Sequence, residues 1–320
     1  MNRPAVSAFL IVVVAACAGG SAETGAATSS TVVLSTVTPS TRQPATTTSQ
    51  GSGSGACPPG LVAARIGSVA STDLTEISGA AASRTQPGVI WVHNDNGNDA
   101  AVYAVSSEGA DLGRFPLANI RGRDWEDMAL GPGPVDGRDY LYLADIGDNG
   151  ATRADVVLYR FLEPDTSVPG EISDFEELRI TYPTGPADAE TLIVDPVTGE
   201  IVIATKTLSG RARLLGIGAD APWGGLIEGI DLGVVSLGFL AVATGGDASE
   251  RLVVIRTYDE AFVWERPAGT SLTEAVAAPP CRVVRIEEPQ GEAIALLDDG
   301  RLLTISEGAN QPIYLFGPAQ

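Results

Sequence analysis

Asp124-Trp125-Glu126-Asp127-Met128-Ala129 has three weaker copies in the chain: Glu76-Ile77-Ser78-Gly79-Ala80, Asp188-Ala189-Glu190-Thr191-Leu192 and Gln290-Gly291-Glu292-Ala293-Ile294. Each copy opens the same kind of segment. A turn containing Gly or Pro follows, then an apolar run ending in a polar residue, then a further short apolar run. Runs of four to eight apolar residues bounded by Gly, Pro and Asp carry the punctuation of β-strands. Their recurrence makes the chain a repeat.

Working outward from these openings gives units of four strands. The first holds residues 78–82, 89–92, 101–105 and 112–117, and the second 127–130, 140–143, 156–159 and 178–182. The third holds 191–194, 201–204, 213–217 and 230–235, and the fourth 239–243, 252–255, 261–264 and 282–286. The fifth holds 293–296, 302–305 and 313–316 and lacks its last strand, which residues 61–66 match in length and pattern. A period of roughly fifty residues, with one unit split between the two ends, predicts an all-β fold: a β-propeller closed by strand exchange. Five blades is the count, with Pro164 to Asp174 as an insertion in the second. Six or seven blades, or a two-sheet sandwich, are the rival readings.

Acids fall in two columns. Glu76, Asp124, Asp188 and Gln290 form one, and Ser78, Glu126, Glu190 and Glu292 the other, two residues on and so on the same side of a strand. The fourth unit offers Gly245-Gly246-Asp247 instead. Polar residues also end each second strand: Asn94 and Asp95, Asp145, Lys206, Thr257 and Glu307. In an antiparallel blade the start of the first strand and the end of the second are neighbours, so both sets should ring one mouth of the central channel. The opposite mouth has no comparable set.

The residues from His93 to Asp99 and from Asp145 to Gly150 pack carboxylates and amides beside glycines, which suits a hard cation seeking six to eight oxygens. Ca²⁺ is the candidate, with Asp95, Asp145, Asp148 and Asn149 as metal ligands. The same residue types also serve plain tight turns. Glu76, Asp124, Asp188, Lys206, Glu292 and Glu307 are the candidate ligand-binding residues. Glu126 and Glu190 are the candidate catalytic pair if the site is that of a hydrolase of phosphoesters, lactones or glycosides. Lys206, the one lysine of the chain, orients a ligand or neutralises crowded carboxylates. His93, the one histidine, reads as a general base or a structural hydrogen-bonder, and Trp125 as packing between blades.

The formal net charge of −20 repels nucleic acid and anionic headgroups and fits a cation, a polar small molecule, a glycan or an envelope protein as partner. Arg3, the apolar run Phe9 to Val14 and Val14-Ala15-Ala16-Cys17 read as export machinery, too short to span a bilayer. Val14-Ala15-Ala16-Cys17 resembles the lipobox of bacterial lipoproteins. That resemblance implies cleavage after residue 16, lipidation of Cys17, and an extracytoplasmic protein held to the bacterial cell membrane by its lipid alone. An ordinary signal peptide is the alternative. Residues 17–56 are rich in Ser, Thr and Gly and read as a disordered tether, and 57–320 as the folded domain. Cys57 and Cys281 then remain for a disulfide, or for two free thiols.

The stretches Trp91-Val92-His93-Asn94-Asp95, Asp124-Trp125-Glu126-Asp127, Asp145-Ile146-Gly147-Asp148-Asn149 and Asp188-Ala189-Glu190-Thr191 resemble those of uncharacterised secreted bacterial propeller proteins, which bring no activity with them. Phytase-like and lactonase-like propellers are similar in having acidic, metal-bearing channel mouths, a likeness of fold only.

Overall fold

The computed structural model describes Cys57, Pro58 and residues 60–95 and 99–318. The residues read as signal peptide, lipidated Cys17 and tether lie outside the described residues.

Strand β1 (Leu61–Ser68) comes first in the chain and last in the architecture. The first blade is β2 (Ile77–Ala82), β3 (Val89–Asn94), β4 (Ala101–Ser106) and β5 (Asp111–Pro116). The second is β6 (Trp125–Pro132), β7 (Asp139–Asp145), β8 (Val156–Leu162) and β9 (Glu176–Thr181). Next come β10 (Ala189–Val194), β11 (Ile201–Thr205) and β12 (Arg211–Ile217), a short β13 (Leu226–Glu228), and β14 (Ile230–Ser236). β10, β11, β12 and β14 make the third blade, while β13 pairs in parallel with β9 as a fifth strand of the second. The fourth blade is β15 (Gly245–Ala248), β16 (Leu252–Arg256), β17 (Glu260–Glu265) and β18 (Arg282–Arg285), with helix α1 (Leu272–Ala277) before its last strand. β19 (Gly291–Leu296), β20 (Leu302–Ser306) and β21 (Pro312–Pro318) form the fifth, and β1 completes it.

The fold is therefore a five-bladed propeller closed as the repeat predicts. β1 runs antiparallel to β21 from Leu61 opposite Pro318 to Ser68 opposite Pro312. Cys57 and Cys281 form a disulfide with their Cα atoms 6.0 Å apart, tying the lead-in to β1 to the lead-in to β18. The insertion returns to the first blade, where Ile172 receives the N–H of Ala118 and donates to Pro116.

Burial falls from the axis outward: β6 and β10 are buried nearly throughout, whereas β5 and β14 are mostly exposed. Five apolar clusters fill the five gaps between neighbouring blades. At the axis, buried acids fasten one first strand to the next. Asp127 accepts from Leu192 N at 2.8 Å and, across the channel, from Gly246 N at 3.1 Å. Asp247 accepts from Leu296 N at 2.8 Å. Gly246 fits here because a Cβ would press into Thr191 and Ile193.

Two strands differ from the sequence reading: the short β13 is additional, and one expected strand is displaced. The innermost strand of the fourth blade is Gly245–Ala248, not residues 239–243, and Phe239 and Leu240 are exposed. An apolar run is the wrong signal where the strand must pass the axis closely, which favours Gly-Gly-Asp over Phe-Leu. Helix α1 was also not foreseen. Ser271 and Glu274 form a capping box at its start, and Leu272, Ala275 and Val276 are buried against the third and fourth blades.

Candidate functional site

Four of the five first strands bulge near their start. Register skips from Ile77 to Gly79, from Trp125 to Asp127, from Ala189 to Thr191 and from Gly291 to Ala293. The residues left over are Ser78, Glu126, Glu190 and Glu292, which are the second column. A bulge leaves its extra residue unpaired and re-aims it. So it is this irregularity, and not simple alternation, that presents three glutamates at one end of the channel. β15 pairs without a shift, and its blade supplies no acid there.

The first column is fastened to the second-strand ends. The carbonyl oxygens of Glu76, Asp124, Asp188 and Gln290 accept from the N–H groups of Asp95, Gly147, Lys206 and Glu307 at 2.8, 3.2, 2.9 and 2.9 Å. Both sets therefore share one mouth. Among the described residues, one carboxylate oxygen each from Asp95, Asp124 and Glu126 come within 4.8 Å of one another. Gly147 makes room for them, because a Cβ there would overlap the carboxylates of Glu126 and Asp124.

Crowding raises the pKa values around this mouth. Burial, then the charges of Glu190, Asp95 and Asp124, push Glu126 well above the usual carboxylate range. Burial, followed by Asp188 and Asp145, raises Asp124. Glu190 is pushed up to about 8 by burial, with Lys206 opposing and Glu292 and Asp188 adding. Glu307 is pushed up to about 8 by burial and then by Glu292, to which it is also hydrogen-bonded.

Glu126 and Glu190 are both buried at this mouth. Glu126 is only 4% exposed, and its carboxylate is grouped with those of Asp95 and Asp124. Glu190 is paired through Oε1 with the Lys206 ammonium, and its buried Oε2 has no hydrogen-bond partner among the described residues. The ammonium also lies 5.6 Å from the centre of the Tyr258 ring. Burial lowers the Lys206 pKa, but Glu190 outweighs it and the net shift is upward.

The remaining candidates have other neighbours. Asp145 is buried and accepts from the Arg153 guanidinium at 2.7 Å and from the N–H groups of Arg123 and Asp124 at 2.9 and 3.2 Å. Asn94 caps the first blade in the same way, accepting from Thr75 and Glu76. Asp148 accepts from Thr152 N and Arg153 N, and these bonds overcome burial to hold its pKa below the usual range. Its own N–H donates to Asp188, and Asn149 is exposed beyond it. His93 is fully buried and lies against Gly79, with Nδ1 3.0 Å from the Asn94 carbonyl and a pKa lowered to about 4 by burial. It belongs to the packing between the first two blades, as does Trp125, whose ring centre is 6.0 Å away.

Sequence reading missed Tyr258 and Arg256. Arg256 is fully buried below the mouth, donating to the carbonyls of Ala293 and Thr257 and to Glu288 at 2.7, 3.3 and 3.0 Å. Both flank Thr257 at the end of the fourth blade's second strand, the position that marks the mouth in every other blade. The opposite mouth is not featureless: a cavity of about 1120 Å³ opens there, lined in part by the Arg84–Asp139 pair, Asp247, Arg251, Asp298 and Arg301.

No family model and no curated protein match the chain. Solved structures resemble it distantly. Soluble aldose sugar dehydrogenase of Escherichia coli is 10% identical with a TM-score of 0.43, covering 81% of this chain and 100% of its own. A glucose dehydrogenase is 9% identical with a TM-score of 0.43 over 81% and 100%, and a proposed gluconolactonase 13% identical with a TM-score of 0.41 over 81% and 93%. At this distance none of those activities transfers to the chain.

Proposed function

We propose that the bulged mouth binds a divalent cation on Asp95, Asp124 and Glu126, and through it a polar ligand or envelope partner. Ca²⁺ suits the site because it takes hard oxygens in flexible geometry. The observation that carries this reading is the Glu126 carboxylate, buried and grouped with those of Asp95 and Asp124. Crowding buried carboxylates together is costly, and a bound cation or a proton relieves that cost. The Cys57–Cys281 disulfide supports an oxidising, extracytoplasmic setting, where Cys17 would be the lipid anchor.

Calorimetric titration of Ca²⁺ into the full chain after EDTA treatment tests it. Saturable binding that weakens at least tenfold in Glu126→Gln is expected. No heat at millimolar Ca²⁺, or binding untouched by the substitution, overturns it. Turnover of a phosphoester, lactone or glycoside that is lost in both Glu126→Gln and Glu190→Gln would place the protein among hydrolases instead.

A further inference from the structure

The acid mouth is lopsided. Where the fourth blade interrupts the glutamates, two loops on the same face carry large apolar side chains into solvent. Residues 206–210 join β11 to β12, and residues 237–244 join β14 to β15 and deliver Thr244 and Gly245 to the channel. Leu208, Phe239 and Leu240 are 72, 85 and 60% exposed. These loops are held to each other through backbone, with Leu237 N donating to Gly210 O at 2.8 Å and Leu240 N to Leu208 O at 3.2 Å. Gly210, at φ +68°, is needed because a Cβ would strike the carbonyl of Gly238. Leu240 sits at φ +66°, a conformation that a leucine adopts only at a cost. A braced, apolar, exposed lip marks an interaction surface rather than a frayed loop.

Beside it stand Lys206, Tyr258 and the crowded carboxylates. Glu126 and Glu190 are each about 95% buried at the mouth, and the buried Oε2 of Glu190 has no hydrogen-bond partner among the described residues. We propose that mouth and lip form one docking surface for a basic segment of a partner protein, with lysine or arginine side chains entering the carboxylates and a bulky apolar side chain resting on Leu208, Phe239 and Leu240. Charge complementarity selects this occupant, since an anionic lipid surface would meet the acids head-on. The surface shares the mouth with the cation reading without requiring the cation.

The probe is a heptapeptide with two lysines flanking one phenylalanine, titrated calorimetrically into the full chain in EDTA and again in Ca²⁺. Saturable binding in EDTA is expected. It should weaken at least tenfold in Phe239→Ser, and equally when alanine replaces the peptide's phenylalanine or norleucine its lysines. Phe239 touches little of the fold, so unchanged circular dichroism and melting are expected of the variant. Absence of peptide binding overturns the proposal, as does binding indifferent to Phe239→Ser or to the peptide's phenylalanine. Sedimentation with vesicles of phosphatidylcholine and phosphatidylglycerol that Phe239→Ser abolishes would also overturn it, assigning the lip to a membrane. Ca²⁺ titration of the same samples reports the cation reading separately, so either can fail alone.

Discussion

Lys206 and Glu190 hold each other in place at the mouth, and their coupling is measurable. Lys206→Met leaves both oxygens of a buried carboxylate without a partner, which should cost about 3 kcal/mol in urea unfolding at pH 8. Adding Glu190→Gln should restore most of that loss, and a double-mutant cycle isolates the pair. Asp247 gives a different signature. Burial pushes it up to about 6 against an ordinary 3.8, with the N–H groups of Leu296 and Ala248 and the charge of Arg84 opposing and Asp298 adding. A carboxyl that holds its proton more tightly in the folded chain favours folding below its unfolded pKa, and loses that advantage as pH rises through its folded one. Relative to Asp247→Asn, the protein should therefore lose stability between about pH 4 and 6. Parallel curves for the two proteins would refute the shift.

Strands and their closure were legible because each is a local apolar run with its own punctuation. The bulges were legible only indirectly. Their acids recur two residues apart, which alternation explains equally well, and the extra residue shows only against a paired neighbour. β13 was hidden because its three residues carry no periodicity, and β15 because closeness to the axis replaces bulk with glycine. Asp145 and Asp148 show the same limit. Asx-Gly loops look alike whether the carboxylate faces an ion or a backbone N–H, and here Arg153 and the neighbouring amides occupy them. The closing element has its own test. Cys57→Ser should lower stability by about 2–5 kcal/mol in urea, with dithiothreitol producing the same drop in the unmodified chain and none in the variant.

Across the whole molecule, acidity and architecture act together. The chain carries −20 overall and gathers many of its acids at one end of a narrow channel. Cation binding there should appear as stabilisation by mass action, about 2.7 kcal/mol at a hundredfold excess over Kd. In a domain of this size that raises Tm by roughly 5–10 °C, and Glu126→Gln should cut the rise to about half or less. A propeller gives such a mouth rigidity, because every first strand is held by neighbours on both sides.

The covalent link between Cys57 and Cys281 decides how the ring carries tension. A pull arriving ahead of Cys57 passes through the sulfur bridge into the fourth blade before it reaches Leu61. The seam between β1 and β21, where no covalent bond closes the circle, stays unloaded. Under mechanical strain the oxidised protein should therefore resist opening as a hoop does, and the reduced protein should come apart like an unstitched hem.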